Sequence, residues 1–150
     1  MQVGEFAPDV VFTTASREEF SLKDFLGSKN IILAFYPRAF TGGWERELRG
    51  FQSIISEFQQ LDTQVLGVST DAAPAQAAFA SHCGLEFQLV ADFPNFKAAK
   101  AFGVFDEEKL ANSRTTFVID KTGIIKHIVA DVPNAEQHAT ESLAAVRELN

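Results

Sequence analysis

The stretch "NIILAFY", Asn30 to Tyr36, constrains the fold more than any other part of the chain. It is a continuous apolar run of strand length, bounded by Gly27-Ser28 before it and Pro37 after it. A run without polar alternation suits a strand covered on both faces, so it is expected at the centre of a sheet with helices on either side. A proline turn, "FYPRAFTGG", follows it. From Trp44 onward Leu48, Phe51, Ile54 or Ile55, Phe58 and Leu61 recur at three- and four-residue steps, which predicts one amphipathic helix of roughly five turns.

The alternation continues along the chain. "TQVLGVS", Thr63 to Ser69, reads as a second buried strand, and "DAAPAQAAFASHCG" as a helix with Asp71 at its N-cap and Gly84 as its C-terminal stop. "FQLVAD" is a third, shorter strand, and "NFKAAKAFGV" a short helix ended by Gly103. After the loop "FDEEKLANSR", the β-branched and aromatic segment "TTFVID" is joined by "KTG" to "IIKHIVADV", which predicts a hairpin. The tail "NAEQHATESLAAVREL" carries Ala139, Leu143, Val146 and Leu149 at helical spacing. Strands alternating with helices, then a terminal hairpin and helix, predict an α/β sandwich with a mixed sheet. No composition shift, long linker or repeat interrupts the 150 residues, so one domain over 1–150 is expected.

Charge and cysteine content narrow the function classes. A formal net charge of -7 argues against nucleic acid and against an anionic membrane surface as partners, because both want clustered Lys and Arg. The opening "MQVGEFAPDVVF" has no basic region followed by an apolar run, and no stretch approaches about 18 consecutive apolar residues, so a cytoplasmic setting is expected. The single cysteine, Cys83, excludes an intrachain disulfide and a cysteine-rich metal site. His82, His127 and His138 share no metal-ligand spacing and read as surface or half-buried residues, so no metal or other cofactor is expected.

The chemistry-bearing segment is the turn after the first buried strand. A strand that runs through a turn into a helix aims free backbone N–H groups, and the positive end of the helix dipole, at the first helical turn, where an anionic nucleophile is stabilised. A cysteine there has its pKa lowered from about 8.5 into a range of about 3.5 to 7.5. Gly42 and Gly43 leave the backbone uncovered for close approach of a ligand, Thr41 offers a hydroxyl, and Pro37 fixes the turn while removing a competing donor.

On these residues the chain resembles the peroxiredoxins of the alkyl hydroperoxide reductase type. That family carries a proline, three residues, a threonine, two residues and then its peroxidatic cysteine; here Pro37, Thr41 and Trp44 stand at those spacings. Further matches are "GEFAPDVVF", Glu47 three residues past the cysteine position, "GVSTD" at 67 to 71, "GLEFQLVAD" at 84 to 92 and "SRTTFVIDKTGII" at 113 to 125, whose Arg114 matches the family's site arginine. "AFTG" and "AFGVFDEE" are similar to the one-cysteine bacterial branch and to the bacterioferritin-comigratory group. The resemblance implies a thioredoxin-like three-layer sandwich, with a mixed central sheet flanked by helices. It also implies a hydroperoxide as substrate, a thiol reductant such as thioredoxin or a low-molecular-weight thiol, and a monomer or homodimer. By the same matching Arg114 would clamp the peroxide, Thr41 would hydrogen-bond it, Pro37 would shield the pocket, and N–H groups near Gly43 and Trp44 would act as donors, with Glu47 in the first helical turn. Arg114 and Glu47 also have plain structural readings, as a bridge to a carboxylate and as a complement to the helix dipole.

Trp44 departs from the family where the chemistry is concentrated. An indole has no lone pair to attack an O–O bond, its N–H only donates, and its bulk in place of a thiol carries a typical overpacking cost of about 1–3 kcal/mol. The expected reading is an active-site variant that is inactive as a peroxidase. Cys83 resembles a resolving cysteine without its partner and falls near a predicted helix C-terminus, where the dipole opposes a thiolate. The other common resolving position, five residues past Trp44, holds Arg49. Two alternatives stand beside the main reading: a natural pseudoenzyme that binds partners with Trp44 as an aromatic anchor, and a slow one-cysteine redox protein using Cys83.

Overall fold

A computed structural model of the protein describes residues 1–39 and 44–149, with Trp44 described by its backbone. The chain begins with a small antiparallel hairpin, β1 (Val11–Thr13) and β2 (Glu19–Ser21), which the sequence pattern did not signal. The apolar run then forms β3 (Asn30–Phe35), all six residues of which are buried. It pairs in parallel with β4 (Thr63–Ser69) and antiparallel with β8 (Thr115–Ile119). With β5 (Gln88–Ala91) and β9 (Ile125–Ala130) outside these, the central sheet runs β5-β4-β3-β8-β9, and β3 is its middle strand.

The lack of polar alternation in β3 has a direct cause. Ile32 and Ala34 face one core cluster with Leu48, Phe51, Phe58, Phe79 and Leu143, while Ile31, Leu33 and Phe35 face a second with Phe12, Val68, Phe102 and Phe117. Both faces of β3 are dry. Each fully buried Leu, Ile or Phe contributes about 1.5–3 kcal/mol, so the many phenylalanines thicken both layers. Their rings meet in tilted and edge-on pairs, for example Phe35 and Phe117 at 5.8 Å between centroids. This is the layered, mixed α/β arrangement of the thioredoxin-like fold.

The helix expected from Trp44 to Leu61 is broken in two, α1 (Trp44–Ser53) and α2 (Ile55–Gln60). The break falls at Ile54, whose φ and ψ of -123° and 21° leave the helical region. Just before it the Ser53 hydroxyl donates back to the Gly50 carbonyl at 2.7 Å, a competing bond of the kind that bends helices. α3 (Ala73–Cys83) ends as expected at Gly84, which takes the left-handed conformation at φ 64°. Its N-cap, however, is Ala72 and not Asp71, because the Asp71 carboxylate is bonded elsewhere. α4 (Lys97–Ala101) precedes a segment that read as a loop but holds the two-residue strands β6 (Phe105–Asp106) and β7 (Ala111–Asn112). α5 (Gln137–Arg147) then packs on α1 and on β8 and β9, placing its first turn beside the first turn of α1.

Candidate functional site

The turn after β3 is pinned from below. Tyr36 N–H donates to Val68 O at 2.9 Å, and the buried Tyr36 hydroxyl donates to Gln76 Oε1 at 2.5 Å. Asn112 Nδ2 donates to the carbonyls of Tyr36 and Val68, both at 3.3 Å. Thr70 Oγ1 donates to Pro37 O at 3.2 Å. Asp71 Oδ2 accepts from Ala39 N at 2.6 Å and from Ser69 Oγ at 2.7 Å. On the outer side Arg38 Nη2 donates to Lys109 O at 2.8 Å, so the β6–β7 hairpin closes over the turn. Residues from β4, its following loop and the hairpin therefore fix Pro37 to Ala39 in front of the helix that opens with Trp44. Thr41 and Gly43, two of the site residues expected from sequence, lie outside the described residues, as do Phe40 and Gly42.

Behind the first turn of α1 sits a buried polar cluster. Glu47 is 0% exposed, and its Oε1 lies 3.2 Å from Nδ1 of His138 in the first turn of α5. His138 is buried as completely, which corrects the surface or half-buried reading, and its Nδ1 also lies 2.8 Å from Thr116 Oγ1 on β8. Both Glu47 oxygens, His138 Nε2 and Ser142 Oγ have no hydrogen-bond partner among the described residues. Burial pushes Glu47 up to about 8, with the Arg114 guanidinium pulling partly the other way. Burial takes His138 down to about 4, and Arg114 acts in the same direction. Holding two opposite charges here would require desolvating both, so near neutral pH the pair is a neutral acid beside a neutral imidazole, with the one titratable proton on Glu47.

Arg114, immediately before β8, and His138 both line a cavity of about 510 Å³ whose walls include Ser113, Thr115 and Asp131. The structure thus brings Arg114, Glu47 and His138 into one electrostatic unit, and the Pro37 turn leaves β3 at the end of the β3–β8 pair where Phe35 faces Thr115. Cys83 is not part of it. It ends α3 with 4% exposure, and its thiol is pushed up by burial and by the Glu45 carboxylate, against a smaller opposing pull from Arg49. Glu45 in turn accepts from Arg49 at 2.8 Å and meets His82 Nε2 at 2.9 Å. Among the described residues no group of three or more His, Cys, Asp or Glu is placed to hold a metal ion.

The AhpC/TSA family model matches residues 3–128. The chain belongs to that family. It is a peroxiredoxin by descent, 33% identical over 150 residues to alkyl hydroperoxide reductase E of Mycobacterium tuberculosis, covering 97% of this chain and 98% of the relative. It is 34% identical over 152 residues to the putative peroxiredoxin bcp of Helicobacter pylori, with the same coverage. Among solved structures, peroxidoxin BcpB of M. tuberculosis superposes with a TM-score of 0.93 at 29% identity, covering 100% of this chain and 99% of the other. PrxQ of Xylella fastidiosa, solved as a mutant, gives 0.90 at 26% identity, covering 99% and 97%.

Within this peroxiredoxin the sequence pointed to Pro37, Arg114 and Glu47 but not to His138, Thr116, Ser142 or Asp71. A signal for His138 was present. His138, Ala139, Ser142, Leu143 and Val146 are the buried positions of α5 and follow one helical face, so a histidine in that phase belongs to the core stripe. Asp71 carried a misleading signal, since an acidic residue before a helix is also what an N-cap looks like.

Proposed function

We propose that this peroxiredoxin binds ligands of the hydroperoxide class at the Pro37–Arg114 site without reducing them. One observation carries the reading: the only thiol in the chain, Cys83, is 4% exposed at the end of α3, and its pKa is raised rather than lowered. A nucleophilic thiol needs the opposite environment, an exposed sulfur whose thiolate is favoured. Trp44, at the family spacing from Pro37 and Thr41, opens α1 where a thiolate would gain from the helix dipole, and it supplies no electron pair for O–O attack. The supporting parts are nevertheless present: the turn at Pro37 is tied down by Asp71 and Thr70, and Arg114 lines a cavity able to hold a small polar ligand. A hydroperoxide is then a ligand and not a substrate, and a thiol reductant has no sulfenic acid to reduce.

The test is Trp44→Cys assayed for hydroperoxide consumption with a thiol reductant. Rapid turnover by the variant, with the unaltered chain no faster than free cysteine, is the expected result. An inert variant would overturn the reading of Pro37, Thr41 and Arg114 as an intact site. Rapid consumption by the unaltered chain that disappears in Cys83→Ser would instead assign the chemistry to Cys83.

A further inference from the structure

We infer that the cavity beside Arg114 takes up a small monocarboxylate together with one proton, the proton being held by the buried Glu47–His138 pair. This rests on the binding reading above and names both the ligand class and what regulates it. The cavity, about 510 Å³, falls within the usual size of small-molecule sites. Its lining brings Arg114 and His138 together with Ser113, Thr115, Ala130 and Val132; the Ser113 and Thr115 hydroxyls lie 3.3 Å apart and Ser113 also donates to Val104 O, so Arg114 is the cationic donor of the wall. A guanidinium has five N–H donors in a planar fork, enough to engage a carboxylate while keeping another partner. Ala130 and Val132 suit a short apolar tail, and Asp131, an exposed residue of the same wall, adds a negative charge that the Arg114 guanidinium must outweigh and that a second charge on the ligand would compound.

The proton enters through geometry. His138 belongs both to the cavity wall and to the contact with Glu47, so it connects a solvent-facing space to a carboxyl that has no exposure of its own. The groups around the pair are few. From the segment before β8 comes Arg114, from the end of β3 comes Tyr36, which Glu47 influences, and from β8 and α5 come the neutral hydroxyls of Thr116 and Ser142. Arg114 is the cation acting on both members, and it favours loss of the Glu47 proton. A carboxylate seated on Arg114 offsets that charge and so favours keeping the proton. By reciprocity, the protonated pair favours the bound carboxylate, and deprotonation of Glu47 sets a second anion against it.

Calorimetric titration with butyrate, repeated in buffers of different ionisation enthalpy, reads the proton directly. Near pH 8.5 the chain should take up a large fraction of one proton per butyrate bound, and near pH 6.5 none. Its affinity should fall about tenfold between pH 7 and pH 9.5. Glu47→Gln, which mimics the protonated acid, should bind butyrate with no proton uptake and with a flat pH profile. Butyrate binding with no uptake by the unaltered chain at either pH overturns the proton coupling and leaves the binding reading standing. No butyrate binding at any pH overturns the carboxylate site, while the hydroperoxide reading stands or falls on Trp44→Cys.

Discussion

Glu47 Oε1 and His138 Nδ1 are 3.2 Å apart, in the first turns of two different helices; the Glu47 side chain has no exposure and only about 1% of the His138 side chain is exposed. The contact ties the N-terminus of α1, where the family's chemistry is concentrated, to α5 and β8. It also gives the fold a pH dependence of definite sign. Glu47 is raised from 4.5 to about 8, so its contribution is full below 4.5 and is lost as pH rises toward 8. His138 is lowered from 6.5 to about 4, so its contribution is full above 6.5 and is lost as pH falls toward 4. Between 4.5 and 6.5 the folded and unfolded pair each hold one proton and the two effects cancel. Between 6.5 and 8 the folded pair alone keeps its proton, and stability should decline by on the order of 2 kcal/mol. Urea unfolding at pH 5.5, 6.5 and 8.5 should show that decline in the unaltered chain and not in Glu47→Gln. Parallel profiles for the two proteins would contradict the assignment.

Asp71 holds the site turn by accepting from Ala39 N–H and the Ser69 hydroxyl. Asp71→Ala leaves a part-buried amide and a hydroxyl without their acceptor, at a cost of about 1–3 kcal/mol. Asp71→Asn keeps an acceptor oxygen and should lose less. Denaturant midpoints for the two variants, with amide exchange at Ala39, check this: exchange should quicken markedly in Asp71→Ala. Unchanged exchange there would mean that Thr70 and Arg38 hold the turn unaided.

Much of this molecule was legible from residue order because its core is written in two periods. The unbroken apolar run at β3, the three- and four-residue steps of α1 and α5, and Gly84 at the end of α3 each reported a backbone state that local chemistry enforces. The break at Ile54 was hidden because Ile54 and Ile55 both continue an apolar stripe, and only the Ser53 hydroxyl hints at competition with the helix. The Glu47–His138 contact was hidden for a different reason. It joins residues ninety-one positions apart in the chain (138 − 47 = 91), and no spacing rule carries a long-range pairing of one carboxyl with one imidazole. Asp71 was visible as a bonding residue, yet its partners lie in the turn after β3 and at the end of β4, not in the helix it precedes.

Cys83 should behave as a buried apolar residue. With 4% exposure and a raised pKa, the native thiol should react with a disulfide reagent at pH 8 more than about tenfold slower than free cysteine, and at the free rate once unfolded in urea. Glu45→Gln removes the carboxylate that raises the thiol's pKa and leaves the Arg49 charge that lowers it, so the native rate should rise severalfold. A native rate equal to that of free cysteine would revive the one-cysteine redox reading.

At Gly67 the sheet leaves no room for a side chain beneath Tyr36 and Leu48. Gly67 pairs with Ala34 of β3, and a Cβ at this position would stand 2.6 Å from Leu89 Cδ2, 3.3 Å from Tyr36 Cε1 and 3.4 Å from Leu48 Cδ2. Leu89 must move, and the buried ring of Tyr36, which supports the Pro37 turn, must give by a few tenths of an ångström. Overpacking of this kind costs about 1–3 kcal/mol, against a gain of about 0.4–1 kcal/mol from the stiffer unfolded chain. Gly67→Ala should therefore lower stability by on the order of 1–2 kcal/mol, read as a shift in the urea midpoint with an unchanged slope. Because the tightest contact is a side-chain methyl, Leu89→Ala should relieve part of the clash. The double variant should be less destabilised than the sum of the two single ones, and strict additivity would mean that Leu89 is not where the strain falls.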